Sequence, residues 1–190
     1  MSRQRITELN GLHPDDITPA HVYEWRELTG HTHETSLQHA LGNWQHFGEI
    51  PGDDIQAASQ KLALKHELEI NSRPNDKDIY RGTKSDPKEE HLLNYRHHNR
   101  PTGLSFTENK QQAERFGNSN MGRLASEPQR IVIARQGTVK GIRLKDYNIE
   151  APEASDRKAS DFSGEKEWLI HPQSLMSLNV NTRQFNGGRK

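Results

Sequence analysis

The chain has 190 residues, with 26 basic and 26 acidic side chains and a formal net charge of +0, so no global field draws it to nucleic acid or to an anionic membrane. It has no cysteine, which excludes disulfides, thiolate nucleophiles and cysteine-based zinc sites. The length suits a single domain with a substantial core, while a hydrophobic content of only 30% requires a very polar surface. Met1-Ser2-Arg3-Gln4-Arg5 is followed by no apolar segment of a signal peptide, and no run has the length of a membrane span. The expectation is a protein without a signal peptide that acts in the cytoplasm, of the producing cell or of a target cell, with no membrane contact.

Residues 1–72 read mainly as helix. Thr18-Pro19 has the chemistry of an N-cap followed by proline at the first helical position, and Val22, Trp25 and Leu28 then recur at helical spacing up to a stop at Gly30. A second helix is predicted over 34–47, with Leu37, Leu41 and Trp44 on one face. Asp53 or Asp54 caps a third, along which Ile55, Ala58 and Leu62 form a stripe. Pro74 ends this block, and the period then changes. Short segments at 78–82, 103–107, 130–135, 139–144, 165–170 and 175–180 read as strands, most of them bounded by Gly, Pro or Asn. One helix interrupts them, over 109–116 and closed by Gly117. Helices first and strands afterwards predict an α+β class, with the β core over 78–182 and a tail over 183–190. The polar stretches 117–128 and 150–164 are too long for hairpin turns and are candidate functional loops.

Three short motifs carry chemistry. In Asp78-Ile79-Tyr80-Arg81-Gly82, Arg81 ends a strand just before a glycine that permits close approach of a ligand, and its guanidinium can fork two donors onto a phosphate; a surface ion pair is the structural alternative. In Gly103-Leu104-Ser105-Phe106-Thr107, alternation puts Ser105 and Thr107 on one face and Leu104 and Phe106 on the other. The two hydroxyls can hold polar groups in a pocket, or Thr107 can cap the following helix and Ser105 bond the backbone. In Gly164-Glu165-Lys166-Glu167-Trp168-Leu169-Ile170, two carboxylates on one face of a strand lie about 6–7 Å apart along the pleat, where ionising both is disfavoured. That pattern suits chemistry, and it equally suits a soluble strand edge.

Taken in order, an arginine at a strand end, a Ser-aromatic-Thr strand leading into a helix with Ala113 and Phe116, and a Glu-x-Glu strand before an apolar run resemble the Arg-Ser-Glu class of mono-ADP-ribosyltransferases. The resemblance covers about residues 53–182 and includes the strands at 131–134 and 139–142. It implies an ADP-ribosyltransferase-like fold, with N-terminal helices and a split mixed or antiparallel sheet around an NAD cleft. It further implies that Arg81, with Gly82 beside it, binds the phosphates and nearby ribose of NAD, and that Ser105, Phe106 and Thr107 form the nicotinamide side. Thr107 transfers less directly than Ser105, because many members have two consecutive hydroxyl residues after the serine. Glu167 becomes the catalytic acid, which bonds the ribose 2′-hydroxyl and stabilises the oxocarbenium formed as nicotinamide leaves. Glu165 becomes the group that orients or deprotonates the acceptor, and Phe162, in the loop 150–164, a contact to that acceptor.

The resemblance implies transfer of ADP-ribose from NAD to a macromolecule, foremost an arginine of a target protein, by a toxin, effector or phage-encoded factor, with a cognate immunity or antitoxin protein as a further partner. RNA or DNA as the acceptor, or a non-catalytic binding domain on the same fold, are the competing readings. The 11 histidines include His31-x-His33 and His97-His98, but none has zincin spacing, and no metal is expected. Tyr95-Arg96-His97-His98-Asn99-Arg100 mixes an aromatic with basic groups and borders the same cleft or a nucleic-acid strand. Arg123, in the loop 117–128, is a second candidate for the phosphates. No G-x-G-x-x-G follows a strand, so redox use of NAD is not supported.

Overall fold

A computed structural model describes residues 2–47, 49–83, 104–118, 129–147, 166–176 and 181–185. The chain forms two compact units, one made chiefly of Met1–Ile70 and one that begins at Asn71. In the first unit, end chemistry sets the helix boundaries. The Thr18 hydroxyl accepts the His21 N–H at 3.3 Å, the His21 ring accepts the Thr18 N–H at 3.2 Å, and Pro19 opens α2 (Pro19–Thr29) where its missing N–H costs nothing. Gly30 ends α2 at φ 75°, a left-handed conformation that glycine adopts without strain. Thr32 accepts the Thr35 N–H at 3.0 Å at the start of α3 (His33–Phe47). Of the two predicted aspartates, Asp54 caps α4 (Ile55–Asn71), its Oδ1 accepting the Ala57 N–H at 2.8 Å. A further helix, α1 (Ser2–Asn10), falls within the part read as mainly helical but was not among the three predicted individually; it is tied to α2 by a two-point Arg5–Glu24 pair at 2.7 and 2.9 Å.

Leu9, Val22, Trp25 and Ile55 form the apolar centre of this unit, with Leu12, Ile17 and Leu28 against it. A second seam is polar. Arg26, buried on α2, donates through Nε and Nη2 to the Ser59 hydroxyl and carbonyl, both at 2.8 Å, and Ser59 is bonded to Ser36 of α3. Burial pulls the Arg26 guanidinium below its ordinary pKa.

The second unit holds β1 (Arg73–Pro74), β2 (Ile79–Thr83), β3 (Leu104–Thr107), α5 (Lys110–Asn118), β4 (Gln129–Ala134), β5 (Lys140–Arg143), a 3-10 turn (Leu144–Tyr147), β6 (Glu167–Ile170), α6 (Pro172–Met176) and β7 (Asn181–Phe185). The strands form one seven-stranded sheet in the order β1-β5-β6-β3-β2-β4-β7, and every described pair is antiparallel. The α+β class is therefore the observed one, and the mixed-sheet alternative is not what forms. One bridge, Tyr80↔Thr107, joins β2 to β3, whereas β2–β4 and β3–β6 are paired along their lengths.

The strand predicted over 175–180 is corrected. Leu175 lies in α6, which starts at Pro172 with the His171 ring accepting the Gln173 N–H at 3.1 Å, and the last strand among the described residues is β7, which runs into the segment read as tail. Residues 177–180 lie outside the described ones. The α5 helix likewise continues one residue past Gly117.

Ile79, Leu104, Phe106, Val132, Ala134, Trp168, Ile170 and Leu175 pack in the core of the sheet unit. β5 approaches β6 so closely at Gly141 that a Cβ there would collide with the Leu169 carbonyl. Asn75, buried, organises the chain around the β4–β5 turn: its Nδ2 donates to the Arg135 carbonyl at 2.9 Å and its Oδ1 accepts the Val139 N–H at 3.1 Å. Among the described residues, no helix is long and apolar enough to cross a membrane.

Candidate functional site

The pairing of β2, β3 and β6 determines which side chains meet. Thr107 pairs with Glu167 and Ser105 with Leu169, so Ser105, Thr107 and Glu167 share one face of the sheet, and the Tyr80↔Thr107 bridge adds Tyr80 and Gly82 to it. Phe106 and Trp168 pair on the opposite face, where both are buried. On the first face the Ser105 hydroxyl donates a short hydrogen bond to Oε1 of Glu167. Glu167 is only 9% exposed, so this bond counts: a carboxylate this far from solvent needs donors.

Arg81 meets Ser105 by another route. Between Tyr80 and Gly82 and paired with Val132, it starts from the face of Phe106 and Trp168, yet its Nη1 donates to the backbone carbonyl of Ser105 at 2.8 Å, across the opening where β2 and β3 stop pairing. A ladder that continued past Tyr80↔Thr107 would occupy that carbonyl with a strand amide. The single bridge therefore creates the gap that the guanidinium crosses. Arg81, Ser105 and Glu167, 86 positions apart from first to last in sequence (167 minus 81), form one run of contacts.

Comparison with protein-family models, with curated proteins and with solved structures finds no match to this chain. The site is accordingly read from its own geometry. The Thr107 hydroxyl is buried and accepts the Asn109 N–H at 3.1 Å, so its bond serves the turn that leads into α5. Asn109, not Thr107, caps that helix, its Oδ1 accepting the Gln111 N–H at 3.0 Å. Phe106 is 1% exposed on the core face and supports β3 from behind, away from the carboxylate. Gly82 pairs with Ile131 one residue beyond the arginine. Glu165, Phe162, Arg123 and the segment 95–100 lie outside the described residues. No cluster of three or more potential metal ligands occurs among the described residues.

Sequence reasoning missed Glu108. Its side chain is 5% exposed; Oε1 accepts the Trp168 indole N–H at 2.9 Å and forms an ion pair with Arg143, whose Nη2 lies 2.7 Å away, and Lys77 Nζ lies 3.8 Å from Oε2. A buried tryptophan at position 168 was the available signal, because its N–H requires an acceptor. In chemical terms the site joins a guanidinium suited to phosphate, a hydroxyl and a largely buried carboxylate able to stabilise a developing cation.

Proposed function

We propose that this protein transfers ADP-ribose from NAD to an arginine of a target protein, as the Arg-Ser-Glu resemblance implies. The observation that carries the proposal is the contact run from Arg81 through Ser105 to Glu167 at the β2–β3 opening. The residues present fit NAD in kind. Arg81 offers planar N–H donors to the pyrophosphate, and Glu167 is an acceptor for the ribose 2′-hydroxyl. Ser105 holds the carboxylate through its hydroxyl and Arg81 through its carbonyl, which ties the two ends of the site to one residue.

In the proposed reaction the bond between the ribose anomeric carbon and the nicotinamide nitrogen breaks, with its electron pair leaving on nicotinamide. Glu167 offsets the positive charge that develops on the ribose, and an acceptor nitrogen forms the new bond and gives up a proton. Glu165 is the proposed group that receives this proton or orients the acceptor. A protein acceptor is favoured over nucleic acid by the net charge of +0, since binding of polyphosphate needs a basic footprint. NAD labelled in its adenylate phosphate, incubated with the purified protein and a cell lysate, tests the reading. The expected label resists nuclease, is lost with protease and is released from protein by neutral hydroxylamine. Absence of both nicotinamide release and labelling would refute the activity; label removed by RNase or DNase would refute the arginine acceptor.

A further inference from the structure

Behind the face that carries Glu167, on the other side of β6, lies a charged cluster that the reaction does not use. Glu108 follows β3 directly, and its N–H donates to the Lys166 carbonyl at 3.1 Å, one residue before Glu167. Its carboxylate accepts the indole N–H of Trp168, one residue after Glu167. Glu108 thus grips β6 on both sides of the acid. Arg143, which pairs with Trp168 across β5–β6, forms an ion pair with the same Oε1, its Nη2 at 2.7 Å, and the Arg73 guanidinium lies 5.3 Å from the centroid of the Trp168 ring.

This cluster is a poor device for stability alone. A buried ion pair loses hydration that its mutual attraction barely restores, and Glu108 Oε2 and Arg143 Nε are buried without hydrogen-bond partners. What such a group does well is discriminate between registers. If β6 slipped by one residue against β3, Glu167 would move to the core face and Trp168 would take its place beside Ser105. The indole N–H, the Arg143 guanidinium and Glu108 would then all lose their partners, so the slipped pairing is penalised by buried polar groups. We propose that Glu108 is a positioning residue, which holds Trp168 and Lys166 so that the Glu167 carboxylate stays opposite Thr107 and in contact with Ser105. The proposal rests on the reading of Glu167 as the acid.

The test compares Glu108→Gln, whose amide oxygen still accepts the indole N–H and stays beside the Arg143 guanidinium, with Glu108→Leu, which has no acceptor, in the full chain. Each is assayed for nicotinamide release and, by NMR, for the cross-strand contacts between 104–107 and 167–170. The Leu variant is expected to lower kcat by about tenfold to a hundredfold, the effect of a misplacement near 1 Å, with KM changed by less than about twofold. Its Thr107–Glu167 contacts should weaken, while the Gln variant keeps both the contacts and a kcat within about threefold of the parent. A Leu variant with parental kcat, a kcat loss with unchanged cross-strand contacts, or a Gln variant as impaired as the Leu variant each overturns the proposal. If the parent protein releases no nicotinamide, the functional reading fails and the NMR contacts alone decide the positioning. If the Leu variant does not fold, Trp168→Phe takes its place, since it removes only the indole end of the grip; intact Thr107–Glu167 contacts and parental turnover in that variant overturn the proposal.

Discussion

Replacement of Glu167 by glutamine separates charge from shape at the centre of the site. The amide keeps the side-chain volume at a position only 9% exposed, and its oxygen can still accept the Ser105 hydroxyl, so the fold should be retained. What disappears is the one negative charge that the proposed reaction places beside the ribose. A unit charge acting on a developing cation about 4 Å away, at an effective dielectric constant near 20, contributes about 4 kcal/mol, which corresponds to a rate factor of about a thousand. Losses from single electrostatic stabilisers begin at about a hundredfold, so the expected fall in kcat lies between about a hundredfold and a thousandfold. Nicotinamide release with water as acceptor should fall in parallel with transfer to protein, because in the proposed mechanism both pass through the same oxocarbenium. The assay is a single-turnover measurement of nicotinamide release with saturating NAD, together with circular dichroism to establish folding. A folded Glu167→Gln protein with parental turnover would refute the assignment of the acid.

Arg81→Lys should weaken NAD binding by about tenfold or more in a calorimetric titration, since a point charge replaces a planar fork and the bond to the Ser105 carbonyl is disturbed; an unchanged Kd would make Arg81 structural. Gly141→Ala forces a Cβ into the Leu169 backbone and should destabilise the sheet unit by about 2–3 kcal/mol, measured as a lower denaturation midpoint, and an unchanged midpoint would contradict the close approach of β5 to β6. Asp78 accepts the Gln136 N–H and the Arg135 guanidinium, which together hold its carboxyl below the usual aspartate pKa. Its stabilising contribution is therefore present above the ordinary value near 4 and is lost as pH falls through the depressed folded value. Asp78→Asn should accordingly flatten the decline in stability between about pH 5 and about pH 3, and curves of equal slope would refute this account.

What was legible in the sequence was whatever depends on neighbours in the chain. Thr18-Pro19 and Gly30 bound α2 because capping is local chemistry, and the alternation in 104–107 placed Ser105 and Phe106 on opposite faces because strand geometry has period two. Where long-range packing decides, the reading failed. α1 buries only Leu9, so no apolar stripe marked it. β7, Asn-Thr-Arg-Gln-Phe, sits at the edge of the described sheet, where it pairs with β4; an edge strand held by backbone bonds needs no apolar alternation, and the more apolar residues just before it drew the prediction forward. At the site, the three motifs were visible as residue types, but the contact of Ser105 with Glu167 follows from the β3–β6 register and the reach of Arg81 from the end of the β2–β3 ladder. Neither register nor ladder length can be read from one strand at a time.

The single bridge between β2 and β3 also bears on how the sheet moves. It divides the strands into β1-β5-β6-β3 on one side and β2-β4-β7 on the other, with α5 packed against β2, β3 and β4. Cooperative opening follows contiguous hydrogen bonding, so amide exchange should resolve these two blocks with different protection. Ser105 and Glu167 belong to the same block, and Arg81 to the other. Independent opening of the two blocks would change the distance from guanidinium to carboxylate while the hydroxyl–carboxylate pair moved as a unit, so the span between Arg81 and Glu167 is set by one joint.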